Sequence, residues 1–392
     1  MFYDKDVEEI HDESDSSLSY GEVQPTEFIH GYEPIIPHYK TKEQLILICT
    51  MIVTVLFLIS GIFKFSFSYI KSDKGDRPLY ISLSMDSECE KLIGEGLDDF
   101  SEETDKWAKN ITYVDVAVSA ISVILLLSAL FQLIRGNYPK VFHAIGSSAL
   151  VLPIAHISNF IFFLHMHSEY KELSIITFSI IPFVMIAIDV LVVFMSYRVS
   201  NEVLNFSENT HDKIVGFIPF FMAVNTLFLA LGVICFSYMY QKQNSDYMVS
   251  TDMLNNYFIA YYAGFDEFFD AIEDDWQKLI YIIDFFVAVI AGLLASVSAV
   301  LAIMKKKIDA LRISVIATII TGVGYISNVI FYSRIIDDIK SRLMEYDFQK
   351  DYVSEHYKLS PVPFIMIAVC IASVIAARYV IRPFNKQEEI TD

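Results

Sequence analysis

WAKNITYVD at residues 107–115 and WQKLIYIID at residues 276–284 carry Trp, Lys and Asp at the same spacing. The first copy contains Asn110-Ile111-Thr112, a formal N-glycosylation acceptor, and the second lacks it. What the two stretches share is therefore Trp107 with Trp276, Lys109 with Lys278 and Asp115 with Asp284, each pair 169 positions apart. A fixed offset is the sign of an internal repeat. The same offset carries Ile157-Ser158-Asn159 onto Ile326-Ser327-Asn328 with no gap. Upstream, LFLISGIFKFSFSYIK at 56–71 aligns with LFLALGVICFSYMYQK at 227–242, an offset of 171 that pairs Gly61 with Gly232. Downstream, PFVMIAID at 182–189 aligns with PFIMIAVC at 363–370, an offset of 181 that pairs Pro182 with Pro363 and Asp189 with Cys370. Apolar segments resemble one another by composition alone, so the matched Trp, Pro, Gly, Asp and Asn carry the weight. Four matched stretches in one order predict a duplication.

The repeated material belongs in a membrane. Of 392 residues, 54% are hydrophobic, and mean hydropathy is +0.44. The apolar residues fall in runs long enough for a bilayer crossing, which takes about 20 residues of helix. Eight spans are expected, near 44–69, 114–134, 141–164, 173–197, 214–240, 279–304, 313–333 and 362–381. The fold class is an all-α polytopic membrane protein of two tandem, parallel four-helix repeats. Because each unit has an even number of spans, both enter the membrane in the same sense. A pseudo-two-fold axis along the membrane normal follows, unlike the inverted repeats of many transporters. The organisation reads as a 1–43 acidic disordered tail, a first unit at 44–200, a 201–213 linker, a second unit at 214–384 and a 385–392 tail.

Lys and Arg in short loops set orientation. KKKIDALR at 305–312 has four and RGNYPK at 135–140 has two, and Lys40, Lys42, Arg382 and Lys386 flank the ends. All fall on one side, so both termini are expected in the cytosol, of a protein in the plasma membrane or an endomembrane. The long loops at 70–113, 241–278 and 334–361 then face outward. Asn110 is on the outer side but close to the bilayer, a poor position for glycan transfer, and Asn205 is on the cytosolic side.

The first 43 residues hold 11 acids against 3 lysines and have no apolar periodicity, which reads as a disordered tail. Ser14, Ser16 and Ser17 lie among those acids. Leu97, Phe100 and Trp107 in the first unit, and Phe265, Phe269, Ile272 and Trp276 in the second, space like one helical face. They predict an amphipathic outer helix leading into spans 2 and 6. Trp107, Trp276, Lys109 and Lys278 are its expected interface anchors.

Ionisable residues within spans are the sharpest functional pointers in such a chain. Asp115 and Asp284 lie near the outer ends of spans 2 and 6. One reading pairs them locally with Lys109 and Lys278. The other makes them a twinned ion or polar site completed by Ser158, Asn159, Ser327 and Asn328. Asp189 lies deep in span 4, where an unpaired carboxylate is costly. With His143 or His156 as partner it is a candidate proton site. His165-Met166-His167 is too small a set to argue for a metal, and four scattered cysteines make no metal or redox motif. No phosphate-binding, zinc-protease or serine-hydrolase motif is present, so neither an enzyme nor a cofactor is expected. A net charge of −19 argues against nucleic acid. Expected partners are the lipid bilayer and, beyond it, other membrane proteins or a second copy. The outer segment 241–277 holds eight acids and one Lys, which raises local cation concentration. The expectation is a channel or transporter-like protein for cations or small solutes. The alternative is a non-catalytic, tetraspan-like membrane organiser or complex subunit acting through its outer loops.

Overall fold

The computed structural model describes residues 38–64, 68–72, 79–83, 85, 106–169, 175–178, 180–204, 208–236, 238–243, 247–251, 253, 275–345 and 357–391. Most of the acidic N-terminal segment lies outside these residues, as do the stretch leading to Trp107 with Leu97 and Phe100, its partner with Phe265, Phe269 and Ile272, and Asn205. Eight helices form from the apolar runs: α1 (His38–Lys64), α2 (Lys106–Ile134), α3 (Tyr138–Glu169), α4 (Ile181–Leu204), α5 (Glu208–Cys235), α6 (Asp275–Ile303), α7 (Lys307–Glu345) and α8 (Val362–Thr391). Each holds an apolar segment of 20 to 36 residues, long enough to cross a bilayer. The chain is a multi-pass membrane protein, and the bilayer is its environment.

Several helices outrun their expected spans. α1 begins inside the acidic tail at His38, α7 runs to Glu345, and α8 runs to Thr391 through the segment read as a C-terminal tail. The 201–213 linker shrinks to residues 205–207 between α4 and α5. Hydropathy marks where the bilayer ends, whereas i to i+4 hydrogen bonding continues as long as the backbone allows it.

Strands are the larger departure. After α1, β1 (Ser68–Ser72) and β2 (Leu79–Leu83) form a hairpin, and β3 (Ile175–Phe178) from the α3–α4 connection pairs with β1. β4 (Met239–Gln243), β5 (Tyr247–Thr251) and β6 (Tyr357–Leu359) form a second sheet of the same order. Ser68 faces Leu83 and Phe178, and Met239 faces Thr251 and Leu359, all antiparallel. The spanning part is all-α as expected, and two small sheets tie its connecting segments together.

α1 and α5 form the centre. In their apolar segments 67% and 72% of residues are buried, against 22–44% in the other six. Phe57 of α1 stacks on Phe228 of α5 with ring centroids 5.5 Å apart. One turn below, Thr54 Oγ1 donates to Asn225 Oδ1 at 2.9 Å, and Asn225 Nδ2 donates to Thr50 O at 3.0 Å. Hydroxyls fasten the outer helices to one another. Ser148 Oγ donates to Ser122 O across α2 and α3, and Ser298 Oγ donates to Ala310 O across α6 and α7.

The α2–α3 and α6–α7 turns are built alike. Gly136 N and Asn137 N donate to Leu133 O and Gln132 O, while Lys305 N and Lys306 N donate to Ala302 O and Leu301 O. These are the paired bonds of a helix C-cap whose next residue is left-handed. Gly136 has φ 69° and Lys305 has φ 63°. Glycine takes that conformation freely. Lysine takes it at a cost.

Candidate functional site

Asp115 on α2 and Asp284 on α6 have no exposed surface. In the second unit, Ser327 Oγ of α7 donates to Asp284 Oδ1 at 2.8 Å. Its neighbour Asn328 donates through Nδ2 to Val233 O of α5 at 3.1 Å. In the first unit, Asn159 Nδ2 of α3 donates to Ile62 O of α1 at 3.5 Å, while Asn159 also faces Asp115. Ile62 and Val233 are in the last turns of α1 and α5, where backbone carbonyls have no partner in their own helix. The two asparagines therefore satisfy helix ends, which is one reason an amide stands at each place.

That bond fixes which way each amide turns, because the nitrogen must meet the carbonyl. The oxygens, Asn159 Oδ1 and Asn328 Oδ1, are left buried and accept no hydrogen bond. The carboxylates beside them, Asp115 and Asp284, are buried too, Asp115 next to the Asn159 amide and Asp284 next to Ser327 and Asn328. Each unit thus holds a buried carboxylate beside an amide, with more acceptor oxygens than donors. A buried acceptor without a donor is costly, and a bound proton or small cation is what oxygen ligands of this kind satisfy.

The units are not equivalent at the serine. Ser158 Oγ donates to Ala155 O of its own helix at 3.0 Å instead of to Asp115. Removing the hydroxyl should therefore have unequal effects. Ser327→Ala is expected to cost about 1–2 kcal/mol by stripping a bond from a buried carboxylate. Ser158→Ala is expected to cost under about 0.5 kcal/mol, since an own-helix bond of this type adds little. Thermal unfolding of the purified protein in detergent reads both.

Lys109 and Lys278 do not serve the aspartates. Lys278 Nζ lies 4.0 Å from Asp275, Lys109 lies over the Tyr113 ring, and the side chain that faces Asp115 is Asn159. The local Asp–Lys pairing is thus replaced by buried carboxylates held among Ser and Asn. At the rim, Trp107 packs on the His165 ring, and Trp276 packs edge-on to Phe331 with the Arg334 guanidinium over its face. Asn110 lies in the opening turns of α2.

A second buried pair lies between α3 and α4. His156 Nε2 is 3.5 Å from Asp189 Oδ2, and neither side chain has exposed surface. His143 is elsewhere. Its ring packs on Tyr197, and thirteen residues of helix separate it from His156, about 20 Å. At the matching positions of the second unit stand Tyr325 and Cys370. Tyr325 is buried, and its hydroxyl donates to Leu229 O at 2.7 Å.

The residues that sequence reasoning passed over are the central hydroxyls and amide, Thr50, Thr54 and Asn225. Thr54 and Asn225 stand 171 positions apart, two residues before the aligned 56–71 stretch. Extending that alignment upstream is the signal that could have found them.

Fold and site together define a class: an eight-helix membrane protein with carboxylates buried among its spanning helices. No protein-family model matches the chain, and no curated protein and no solved structure matches it.

Proposed function

We propose that the chain is a transport protein for protons or small cations, built from two tandem four-helix units about a pseudo-two-fold axis along the membrane normal. Supporting the duplication, α6 covers the α2 range shifted by 169 positions, and β4 covers the β1 range shifted by 171. The sheets share one register and the two tight turns share one hydrogen-bond pattern. Supporting the axis, Thr54 meets Asn225 and Phe57 meets Phe228, and both pairs are 171 apart. Equivalent residues touch each other where a two-fold axis passes between them. Two such contacts a turn apart on α1 and α5 support an axis running along the helices. In this reading both termini are in the cytosol and the sheets outside, an orientation supported by the lysines and arginines of the short loops.

One observation carries the transport reading. Asp115, Asp189 and Asp284, each without exposed surface, lie within the spanning segments of α2, α4 and α6. Buried ionisable groups within spans, Asp189 deep in its span and Asp115 and Asp284 nearer the ends of theirs, are costly and mark ion pathways and proton relays. The twin sites of Asp115 with Asn159 and of Asp284 with Ser327 and Asn328 supply oxygens for a cation. The Asp189–His156 pair supplies an acid and a base in contact. No catalytic step is part of this reading.

A second reading, an organiser acting through its outer loops, draws on the packing of the α1–α5 centre. Stacked rings close it, and polar groups there bond helix to helix, which is how such residues glue membrane bundles. Flux separates the two. In sealed vesicles under imposed sodium, potassium or pH gradients, the wild type is expected to dissipate at least one gradient. Asp115→Asn and Asp284→Asn are each expected to slow it about tenfold, the loss of one charged ligand. A folded wild type that dissipates none of the three, yet copurifies with other membrane proteins, would favour the organiser.

A further inference from the structure

On the side of the two tight turns, α4, α5 and α6 leave an open cleft of about 630 Å³. That size lies in the range of ligand sites, about 300–1,000 Å³. Leu191 and Met195 of α4 line one wall, Phe217 and Phe220 of α5 the other, and Lys305 and Lys307 stand at its end. The wall is apolar and the end is cationic. Lys307 reaches across to α5, and its Nζ lies 3.8 Å from where a Cβ on Gly216 would be. Glycine at 216 therefore leaves the room in which the lysine lies beside the cleft. Lys305 and Lys306 are exposed next to it, and Asp309 is the acid on the same turn of α7.

We propose that this cleft binds an anionic phospholipid of the adjoining leaflet, its acyl chain along the apolar walls and its phosphate against Lys305 and Lys307. Two observations select this occupant. The cleft lies among helices that face lipid, with Ile303 69% and Met304 59% exposed beside it. Acyl chains are the apolar material available to fill it, and an empty apolar groove forfeits dispersion contacts. The charge is complementary to phosphate, and basic pockets between spanning helices recognise anionic headgroups in this way. Lys305 also sits at φ 63°, a conformation unfavourable for any side chain, so its charge is held there against backbone preference.

The other unit lacks both features. The residues that align with Gly216, Lys305 and Lys307 are Leu45, Gly136 and Tyr138. The aligned positions of the first unit therefore do not repeat this pair of lysines beside a glycine.

The test uses the full chain in detergent, with native mass spectrometry reading retained lipid. Probes are phosphatidylglycerol, phosphatidylcholine with the same acyl chains, and glycerol phosphate. The wild type is expected to retain phosphatidylglycerol at least tenfold more than phosphatidylcholine, and glycerol phosphate should not displace it. A lysine beside an anionic headgroup is worth roughly a five-fold change in affinity. The Lys305→Gln/Lys307→Gln variant should therefore lose the preference while still taking up either lipid. Gly216→Leu, which fills the cleft, should lose both lipids. Equal retention of the two lipids by the wild type would overturn the proposal. So would an unchanged preference in the lysine variant, or displacement by glycerol phosphate as effective as by intact lipid. If Gly216→Leu does not fold, the lysine variant, with Lys305 exposed and Lys307 half-buried, decides alone once its melting curve shows it folded.

Discussion

The Gly232→Ala substitution is expected to lower the stability of the bundle by about 3 kcal/mol. A Cβ there would lie 2.3 Å from Phe236 Cε2 and 2.5 Å from Tyr325 Oη, closer than atoms approach. Tyr325 cannot retreat cheaply, because it is fully buried and its hydroxyl donates to Leu229 O at 2.7 Å. Making room breaks that bond and forces Phe236 off its packing. Overpacking of this kind typically costs 1–3 kcal/mol, and an orphaned buried carbonyl costs about as much again. Against total stabilities of about 5–15 kcal/mol, that is a large loss. Gly292→Ala is the control. A Cβ at 292 meets nothing within 4 Å, and alanine is the better helix former by roughly 0.5–1 kcal/mol. Thermal unfolding in detergent should show the first variant melting far below wild type and the second at or above it. Equal midpoints for wild type and Gly232→Ala would mean that α5 and α7 are not this close.

The second large effect concerns the buried His156–Asp189 pair. Removing one partner of a buried pair ordinarily destabilises by about 3–5 kcal/mol, which would confuse loss of function with loss of fold. The second unit offers a way around this, because it holds Tyr325 and Cys370 at the matching positions. His156→Tyr with Asp189→Cys copies that arrangement into the first unit. Gly61 stands where Gly232 stands, and buried Leu58 where Leu229 stands, so the copied tyrosine is expected to meet the same residue types as Tyr325. The double variant is expected to fold with a melting point near wild type. Its proton-driven flux should fall by about 100-fold, the usual worth of a positioned acid or base. Retained flux in a folded double variant would remove Asp189 and His156 from the mechanism.

Much of the spanning bundle was legible in the sequence, because about 20 apolar residues in a row have few other places to go. The 169-residue offset between WAKNITYVD and WQKLIYIID also marked two elements that form over matching ranges, α2 and α6. The strands were not legible. SYIKS and LYISL are only five residues each, and their third partner, IITF, lies about 100 residues further on. Short strands draw their stability from cross-strand neighbours, which hydropathy does not register.

The candidate site was legible by residue and not by partner. Asp284, Ser327 and Asn328 do come together, but the carbonyl that orients Asn328 belongs to Val233, in the last turn of another helix. No local pattern announces a backbone group as the partner. The pairing of Lys109 with Asp115 fails for a reason that was readable. Six residues on a helix turn through about 600°, about 120° short of two full turns, so the two side chains leave different faces. Neighbours on one face are three or four apart. Asp275 and Lys278, three apart, are the pair that forms.

Proton movement into sealed vesicles under an imposed pH gradient tests the central claim most directly, that the buried aspartates serve transport. The comparison is wild type against the Asp115→Asn/Asp189→Asn/Asp284→Asn variant, each shown to be folded by its melting curve. The account predicts that wild-type vesicles collapse the gradient, alone or when sodium or potassium is supplied on the opposite side, and that the triple variant holds it as empty vesicles do. Wild-type vesicles as tight as empty ones under every cation condition, or a triple variant as fast as wild type, would contradict it.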